Sequence, residues 1–283
     1  MDAVLLEWAD RVARQSPRSL GAAIAYALQS PGKRLRPALV MAVYRALGGV
    51  GPIERVAAAV EVVHCYSLVH DDLPCMDDDD LRRGRPTVHR RFGVRAATEA
   101  GQRMIPLAGR LLAEGVTALG LPPAMLGRLA AELYRAAGAV GMVGGQFLDL
   151  QAEGRALTLE EMVAMHRRKT GALIAASAVI GALAAGADLD RAGAVRAYGD
   201  EIGLAFQIAD DLLDQTGTSA ELGKTAGKDA RRRKPTFATL MNPQDARAEA
   251  ERCVERAVDR LRQAHVDSSL LDDLAHFIIN RRS

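Results

Sequence analysis

The 283-residue sequence predicts a single all-α domain. Three observations carry that prediction. The apolar fraction of 49% is mostly Ala, Leu and Val, with only 5 Phe, 5 Tyr and 1 Trp, a palette that suits helices better than sandwiches or barrels. Apolar positions recur at helical spacing between glycine, proline and N-cap signals along most of the chain. Strand alternation is not sustained over several segments, and no hairpin dipeptide sits between apolar runs. A chain of this length buries a large core without disulfides or structural metals. No short repeat or low-complexity linker divides it.

The elements follow in order. MDAVLLEWADRVARQ at the N-terminus reads as an amphipathic helix and lacks a basic-then-apolar leader pattern. Arg36 to Leu47 is a helix that tolerates Pro37 in its first turn and stops at Gly48-Gly49. Ile53 to Asp72 is a long, largely apolar helix closed by Pro74. Pro122-Pro123 start another that runs toward Gly144-Gly145, and close helix packing explains the glycines of GAVGMVGGQ. Thr158 caps the next, with Glu160 and Glu161 in its acidic first turn. Gly171 to Ala187 holds 17 residues without a charge; that falls short of the ~20 needed to span a bilayer and reads as a buried core helix. Asp190 to Asp214 forms one or two helices, Asp245 to Gln263 carries i,i+4 charge pairs, and Leu270 to Arg282 closes the chain. Two charge-dense loops, Asp77 to Arg91 and Gly217 to Lys234, each follow a long apolar helix.

Charge and cysteines narrow the function. Lys plus Arg total 37 against 35 Asp plus Glu, a net charge of +2, which excludes a generally basic nucleic-acid binder and an acidic disordered tail. Cys65, Cys75 and Cys253 are odd in number and form no CxxC. That argues against a disulfide framework or a zinc site and fits a reducing cytoplasm.

The sharpest signal is DDLPCMDDDDLRRGRPT at 71–87, with six carboxylates and three arginines. Asp71 and Asp72 end an apolar helix, and the bend at Pro74 lets Asp77 turn back toward them. Carboxylates this dense cannot all ionise together without a cation. Mg²⁺ is the cation that takes one or two carboxylates plus substrate phosphates. An EF-hand fails for want of its glycine and terminal glutamate. The second cluster is Asp210, Asp211 and Asp214 in FQIADDLLD, where Asp210 and Asp214 share one helix face. Either cluster alone is compatible with a solvated acidic helix end. Together, each followed by basic residues, they point to Mg²⁺ and a diphosphate.

The basic residues fit phosphate oxygens. Arg82, Arg83 and Arg85 follow the first cluster, and Lys224, Lys228 and Lys234 follow the second. Lys33, Arg34 and Arg36 lie in PGKRLRP, and Lys169-Thr170 in HRRKTG. Arg231 to Arg233 are weaker candidates. The sequence contains no GxxxxGK[ST], nucleotide-type GxGxxG, GxSxG or HExxH motif.

These residues resemble the trans-isoprenyl diphosphate synthases, in their bacterial farnesyl diphosphate synthase branch. The match runs in order through GKRLRP at 32–37, HCYSLVHDDLPCMDDDDLRRGRPT at 64–87, GGQFLDL at 144–150 and KTGALI at 169–174. FQIADDLLD at 206–214, LGKTAGKD at 222–229 and KPTF at 234–237 complete it. The resemblance implies an all-α bundle around a deep central cavity, one polyprenyl synthetase domain over 1–283, and a cytoplasmic homodimer that binds neither nucleic acid nor membrane. It also implies the reaction: an allylic diphosphate ionises, isopentenyl diphosphate attacks the cation, and a proton is lost, with the released diphosphate rather than a side chain as base. By motif, Asp71, Asp77 and Asp210 are the main Mg²⁺ ligands, supported by Asp72, Asp211 and Asp214. Three Mg²⁺ per site are implied, a role open to Mn²⁺. Arg82, Lys169 and Lys224 would hold the allylic diphosphate, with Thr170, Gln207 and Lys234 nearby. Lys33, Arg36, His64 and Arg83 would hold isopentenyl diphosphate without metal. His64 without the motif would read as a core histidine.

Product length follows from geometry along the helix ending at Asp71. Tyr66 and Ser67 stand five and four residues before it, roughly 6–7.5 Å below the metal ligands. A bulky Tyr66 makes a floor while Ser67 leaves room. With the Pro74-Cys75 insertion this is similar to a farnesyl synthase and implies a fifteen-carbon product; geranyl and geranylgeranyl products are the alternatives. One stretch departs from the family: EAGQRMIPLAG places Gln102 and Arg103 where Asp and a small residue are usual, and Pro106 falls inside an expected helix, which puts that helix in doubt. Arg233 also replaces a usual small residue. A terpene cyclase would leave the PGKRLRP site unexplained, and a non-catalytic partner subunit would have lost an aspartate motif.

Overall fold

The computed structural model describes residues 1–216, 236–266 and 268–281. Their backbone contacts define two compact units. One comprises Met1–Pro37 and Gly51–Leu126; the other comprises Ala38–Val50 and the described residues from Gly127 onward. Regular structure is helical apart from one two-residue antiparallel pair among the described residues, so the all-α prediction holds. The predicted loop Gly217 to Lys234 lies outside the described residues.

In the first unit α1 (Asp2–Gln15) and α2 (Arg18–Leu28) pack together, and α3 (Leu35–Ala46) begins there but belongs mostly to the second unit. Trp8 of α1 is fully buried, with the Arg11 and Arg110 guanidinium carbons 4.5 and 5.0 Å from its ring centroid. Next, α4 (Glu54–Asp71) is buried nearly all round. It packs on α6 (Val94–Ala118), and a Cβ at Gly115 of α6 would lie 2.6 Å from Val56 Cγ2. That close approach is why Gly115 has no side chain.

Two expectations change here. A minimal hairpin joins β1 (Leu81–Arg82) to β2 (Arg85–Pro86). Its turn residues Arg83 and Gly84 have φ of 54° and 72°, the positive values that a two-residue turn matching strand twist requires. A short α5 (Val88–Phe92) follows. Meanwhile α6 runs unbroken for 25 residues with Pro106 inside it. Pro106 removes the donor to the Gln102 carbonyl, ordinarily a cost of about 3 kcal/mol. Gln102, Arg103 and Pro106 all lie on the exposed face, where water can satisfy such a carbonyl. The opposite face buries Met104, Leu107, Ala108, Leu111 and Leu112 and holds the helix together.

In the second unit the helix expected from Pro122-Pro123 to Gly144-Gly145 is two helices, α7 (Ala124–Ala137) and α8 (Met142–Gln151). The chain folds tightly on itself between them. A Cβ at Gly141 would sit 2.1 Å from the Ala136 oxygen, and one at Gly144 1.9 Å from the Ala139 oxygen. The glycines read as helix packing are in part the residues of this break. Then α9 (Leu159–His166) starts with the predicted cap, Thr158 and Glu161 exchanging hydrogen bonds as a capping box. A π turn, Arg167–Gly171, leads into α10 (Ala172–Ala184), which is apolar and buried on nearly every side. No helix among the described residues is long and apolar enough to cross a membrane.

α11 (Leu189–Thr216) is one helix. It lies so close to α10 that a Cβ at Gly199 would be 2.6 Å from Ala175 Cα, and one at Gly203 2.7 Å from Gly171 Cα. After α12 (Phe237–Leu240), α13 (Pro243–Gln263) covers α11, capped by the Asn242 side chain on Asp245 N–H. α14 (Ser269–Asn280) completes the unit, and the buried Tyr198 hydroxyl of α11 donates to the Leu271 carbonyl at 2.8 Å. The three cysteines are free thiols, Cys65 and Cys253 buried and Cys75 exposed.

Candidate active site

In the first unit the chain reverses at the end of α4 as the sequence predicts. The Asp77 N–H donates to the Asp71 carbonyl at 2.8 Å, Asp78 N–H to Leu73 at 3.1 Å and Asp79 N–H to Asp72 at 3.2 Å. The adjacent aspartates then part ways. Asp71 is partly exposed, whereas Asp72 is buried. Asp72 Oδ1 accepts both Nε and Nη2 of Arg82, at 2.9 and 2.6 Å, and Arg82 Nη2 also reaches Asp79 Oδ2 at 3.3 Å. Burial pushes the Asp72 carboxyl up to about 6 against the pull of Arg82, with smaller contributions from the Asp79 and Asp77 charges. The hairpin is pinned beneath this pair by Thr87, whose hydroxyl donates to the Asp79 carbonyl at 2.8 Å.

Beside it lies a cluster of cations around His64. Burial first, then Arg36, Arg83, Arg82 and Arg34, hold the imidazole well below its ordinary range, so it is a neutral hydrogen-bonding group at neutral pH. Arg83 Nη1 donates to the Pro31 carbonyl at 2.5 Å, and a Cβ on Gly32 would lie 2.4 Å from that nitrogen. Gly32 therefore makes room for Arg83 against the loop that carries Lys33. Arg34, with φ of 50°, bonds Glu61 at 2.7 Å, Asp2 at 2.9 Å and the Ser30 carbonyl at 2.8 Å. Thus Arg36, His64 and Arg83 lie together, with Lys33 in the adjoining loop, while Arg34 and the buried Glu61 brace that loop.

Tyr66 is buried on α4, its ring edge-on to His70 with centroids 5.6 Å apart. His70 Nε2 lies 3.1 Å from the Thr98 carbonyl of α6. The ring lies where a side chain on Gly101 would stand, since a Cβ there would be 2.1 Å from His70 Nε2. The Ser67 hydroxyl folds back on the His64 carbonyl at 2.8 Å. Burial pushes the neighbouring Cys65 thiol up to about 12.

In the second unit the same division recurs on α11. Asp210 is partly exposed and Asp211 buried. Asp211 accepts Gln207 Nε2 and the Phe237 N–H, both at 2.8 Å, and Gln207 Oε1 accepts the Thr170 hydroxyl at 3.0 Å. Asp210 Oδ1 accepts Arg281 Nη2 at 2.9 Å, and that guanidinium stacks 3.9 Å from the Phe206 ring centroid. Lys169 stands in the π turn, and its Nζ donates to Asp149 Oδ2 at 2.5 Å. Lys224, Lys228, Arg231 to Arg233 and Lys234 lie outside the described residues.

Sequence reasoning missed Asp79, Asp149, Arg281 and the Arg34–Glu61 pair. Asp149 was within reach, as the carboxylate of GGQFLDL; periodicity gives no signal for the others. Among the described residues no three metal-binding side chains form a cluster. The donors are nonetheless all carboxylate oxygens, and Mg²⁺ completes its shell with substrate phosphates and water, so these residues fit that ion.

The polyprenyl synthetase family model matches residues 17–271. The farnesyl diphosphate synthase of Geobacillus stearothermophilus is 40% identical over 94% of this chain and 90% of its own. That of Escherichia coli is 44% identical over 88% and 85%. Among solved structures, a geranyltransferase of Helicobacter pylori complexed with magnesium and isoprenyl diphosphate is 30% identical. It superposes with a TM-score of 0.82 over 99% of this chain and 95% of its own.

Proposed function

We propose, for a chain that belongs to the polyprenyl synthetase family, that it condenses isopentenyl diphosphate with dimethylallyl or geranyl diphosphate to give farnesyl diphosphate. One observation carries the reading. Both DD pairs have a partly exposed first carboxylate and a buried second one tied into the protein; the first pair holds Arg82, and the second is linked through Gln207 to Thr170, the residue after Lys169. One family model runs through both units, which supports a single catalytic domain over 1–283.

The side chains divide the work. Asp71, Asp77 and Asp210 would hold Mg²⁺, with Asp72, Asp211 and Asp214 behind them; three ions per site, replaceable by Mn²⁺, belong to this reading. When bound, the metal would supply positive charge to the departing diphosphate. Arg82 spends Nε and Nη2 on Asp72, which leaves Nη1 for a phosphate oxygen. Lys169, with Lys224 and Lys234 from their positions in the family motifs, would hold the same allylic diphosphate. Thr170 and Gln207 line it through their mutual hydrogen bond. Lys33, Arg36 and Arg83 supply point charge and forks for isopentenyl diphosphate. Neutral His64 adds a hydrogen bond there without further charge repulsion among the arginines.

Tyr66, flanked by His70 of α4, which reaches the Thr98 carbonyl of α6, is the proposed chain-length floor, with Ser67 beside it. A homodimer is supported by the outer face of α8, where Val143 and Phe147 are 48% and 60% exposed. Free thiols support a cytoplasmic location.

The test incubates purified protein with Mg²⁺, isopentenyl diphosphate and either dimethylallyl or geranyl diphosphate, and sizes the dephosphorylated alcohols by gas chromatography–mass spectrometry. Farnesol that disappears with EDTA is the expected result. Geraniol or geranylgeraniol would keep the chemistry and sink the Tyr66 floor. No condensation by folded protein with any starter would overturn the synthase reading.

A further inference from the structure

Lys169 is the one described lysine the proposed reaction places on the allylic diphosphate, and three features of the second unit converge on it. First, Asp149 of α8 is buried and takes the Lys169 ammonium at 2.5 Å. Second, α8 approaches the π turn closely enough that a Cβ at Gly145 would lie 2.1 Å from the Lys169 backbone nitrogen and 2.5 Å from its Cα. The backbone of Lys169 is thus held by Gly145, and its side-chain tip by Asp149 one turn further along the same helix face. Third, that buried face also carries Gln146, whose Oε1 and Nε2 are both buried without a hydrogen-bond partner. A buried amide left bare at both ends costs free energy and marks a place where a ligand oxygen or a water belongs.

A lysine arm has four rotatable carbons and loses much freedom when its tip is fixed. A carboxylate that fixes it beforehand removes that cost from ligand binding. An ammonium has three donors, so it can bond a carboxylate and a phosphate oxygen at the same time. The π turn contributes as well. The next residue, Thr170, bonds Gln207 on α11 rather than α8, so adjacent residues are committed to different helices. Wide turns of this kind are common at functional sites.

We propose that Asp149 is the positioning residue of Lys169, holding its ammonium where the allylic diphosphate binds, with Gly145 fixing the backbone beneath it. Asp149 itself touches neither diphosphate nor metal. This inference rests on the proposed function, and the experiment separates the two.

Full-length protein is prepared as Asp149→Asn, Lys169→Ala and the double variant, with circular dichroism melts to confirm folding. KM for geranyl diphosphate and for isopentenyl diphosphate is measured for each. Asp149→Asn is expected to raise the geranyl diphosphate KM about tenfold, within the 10–100-fold range of outer supporting partners, and to leave the isopentenyl diphosphate KM within about twofold. In the Lys169→Ala background, Asn at 149 should add nothing. A general structural role would move both KM values and the melting temperature together, and would overturn the proposal. Losses that multiply in the double variant would show Asp149 acting on ligand or metal directly, and would overturn it too. If Lys169→Ala leaves the geranyl diphosphate KM unchanged, the assignment of Lys169 under the proposed function falls. If Lys169→Ala is damaging and Asp149→Asn is not, only the present inference falls.

Discussion

The two aspartate motifs sit in different units, yet each divides its leading pair in the same way. Asp71 and Asp210 are partly exposed, and Asp72 and Asp211 are buried. The means of burial differ. Asp72 is tied by a guanidinium that serves two carboxylates. Among the described residues, Asp211 accepts from an amide and a backbone N–H, both neutral donors. On the proposed function, each DD dipeptide thus gives one carboxylate for chemistry and one for the frame. The local partner decides how much charge the frame must carry.

The largest expected effect tests that division directly. Asp71→Asn and Asp210→Asn should each lower kcat by about 10²–10³-fold, the scale of losing a group that stabilises developing charge. Asp72→Asn and Asp211→Asn should cost only about 10–100-fold, the scale of a supporting partner. Equal losses across all four would erase the distinction between outer and inner carboxylates.

Stability should invert that order. Asp72→Ala leaves the partly buried Arg82 with Asp79, a change of about 3 kcal/mol, the low end for a broken buried pair. Asp211→Ala removes hydrogen bonds to neutral donors, about 1–3 kcal/mol. Asp71→Ala should be the mildest of the three, since Asp71 is partly exposed. Urea melts read these differences, and a larger loss at Asp211 than at Asp72 would reverse our comparison.

A smaller effect separates the pair by pH. The folded Asp72 carboxyl, at about 6, lies above the ordinary aspartate value of 3.8. Its proton therefore favours the folded state. That contribution is complete below 3.8 and is lost as pH rises through about 6. Asp72→Asn keeps the uncharged form at every pH, so its melting temperature should decline less between pH 4 and 7 than that of the parent. Thermal melts across that interval, with Asp211→Asn as control, give the answer; parallel curves for Asp72→Asn and parent would count against buried Asp72.

Much of this was readable from the sequence. The ends of α4 and α13 were expected to within two residues, because proline, glycine and cap side chains act locally. The reversal that returns Asp77 to Asp71 was legible from Pro74 alone. The break between α7 and α8 was not, because glycines that permit close packing and glycines that permit a tight turn look alike in sequence. The persistence of α6 through Pro106 was hidden too. It depends on which face of the helix meets water, and that is settled by packing against α4. Among site residues, the carboxylates and basic groups were visible by type and spacing. Their internal partners were not. Glu61 lies 27 positions from Arg34, and Arg281 lies 71 from Asp210, and nothing in a one-dimensional pattern joins them.

The exposed thiol of Cys75 stands between Asp72 and Asp77, while Cys65 and Cys253 are buried with their thiols pushed up to about 12. Thiolate is the reacting form, so a maleimide dye at neutral pH should enter the unmodified chain at one position only. That position is the bend of the first aspartate motif. A fluorophore there would report on its surroundings as diphosphate and divalent ions are titrated in, turning a residue outside the proposed ligand set into a built-in optical gauge of the first aspartate motif.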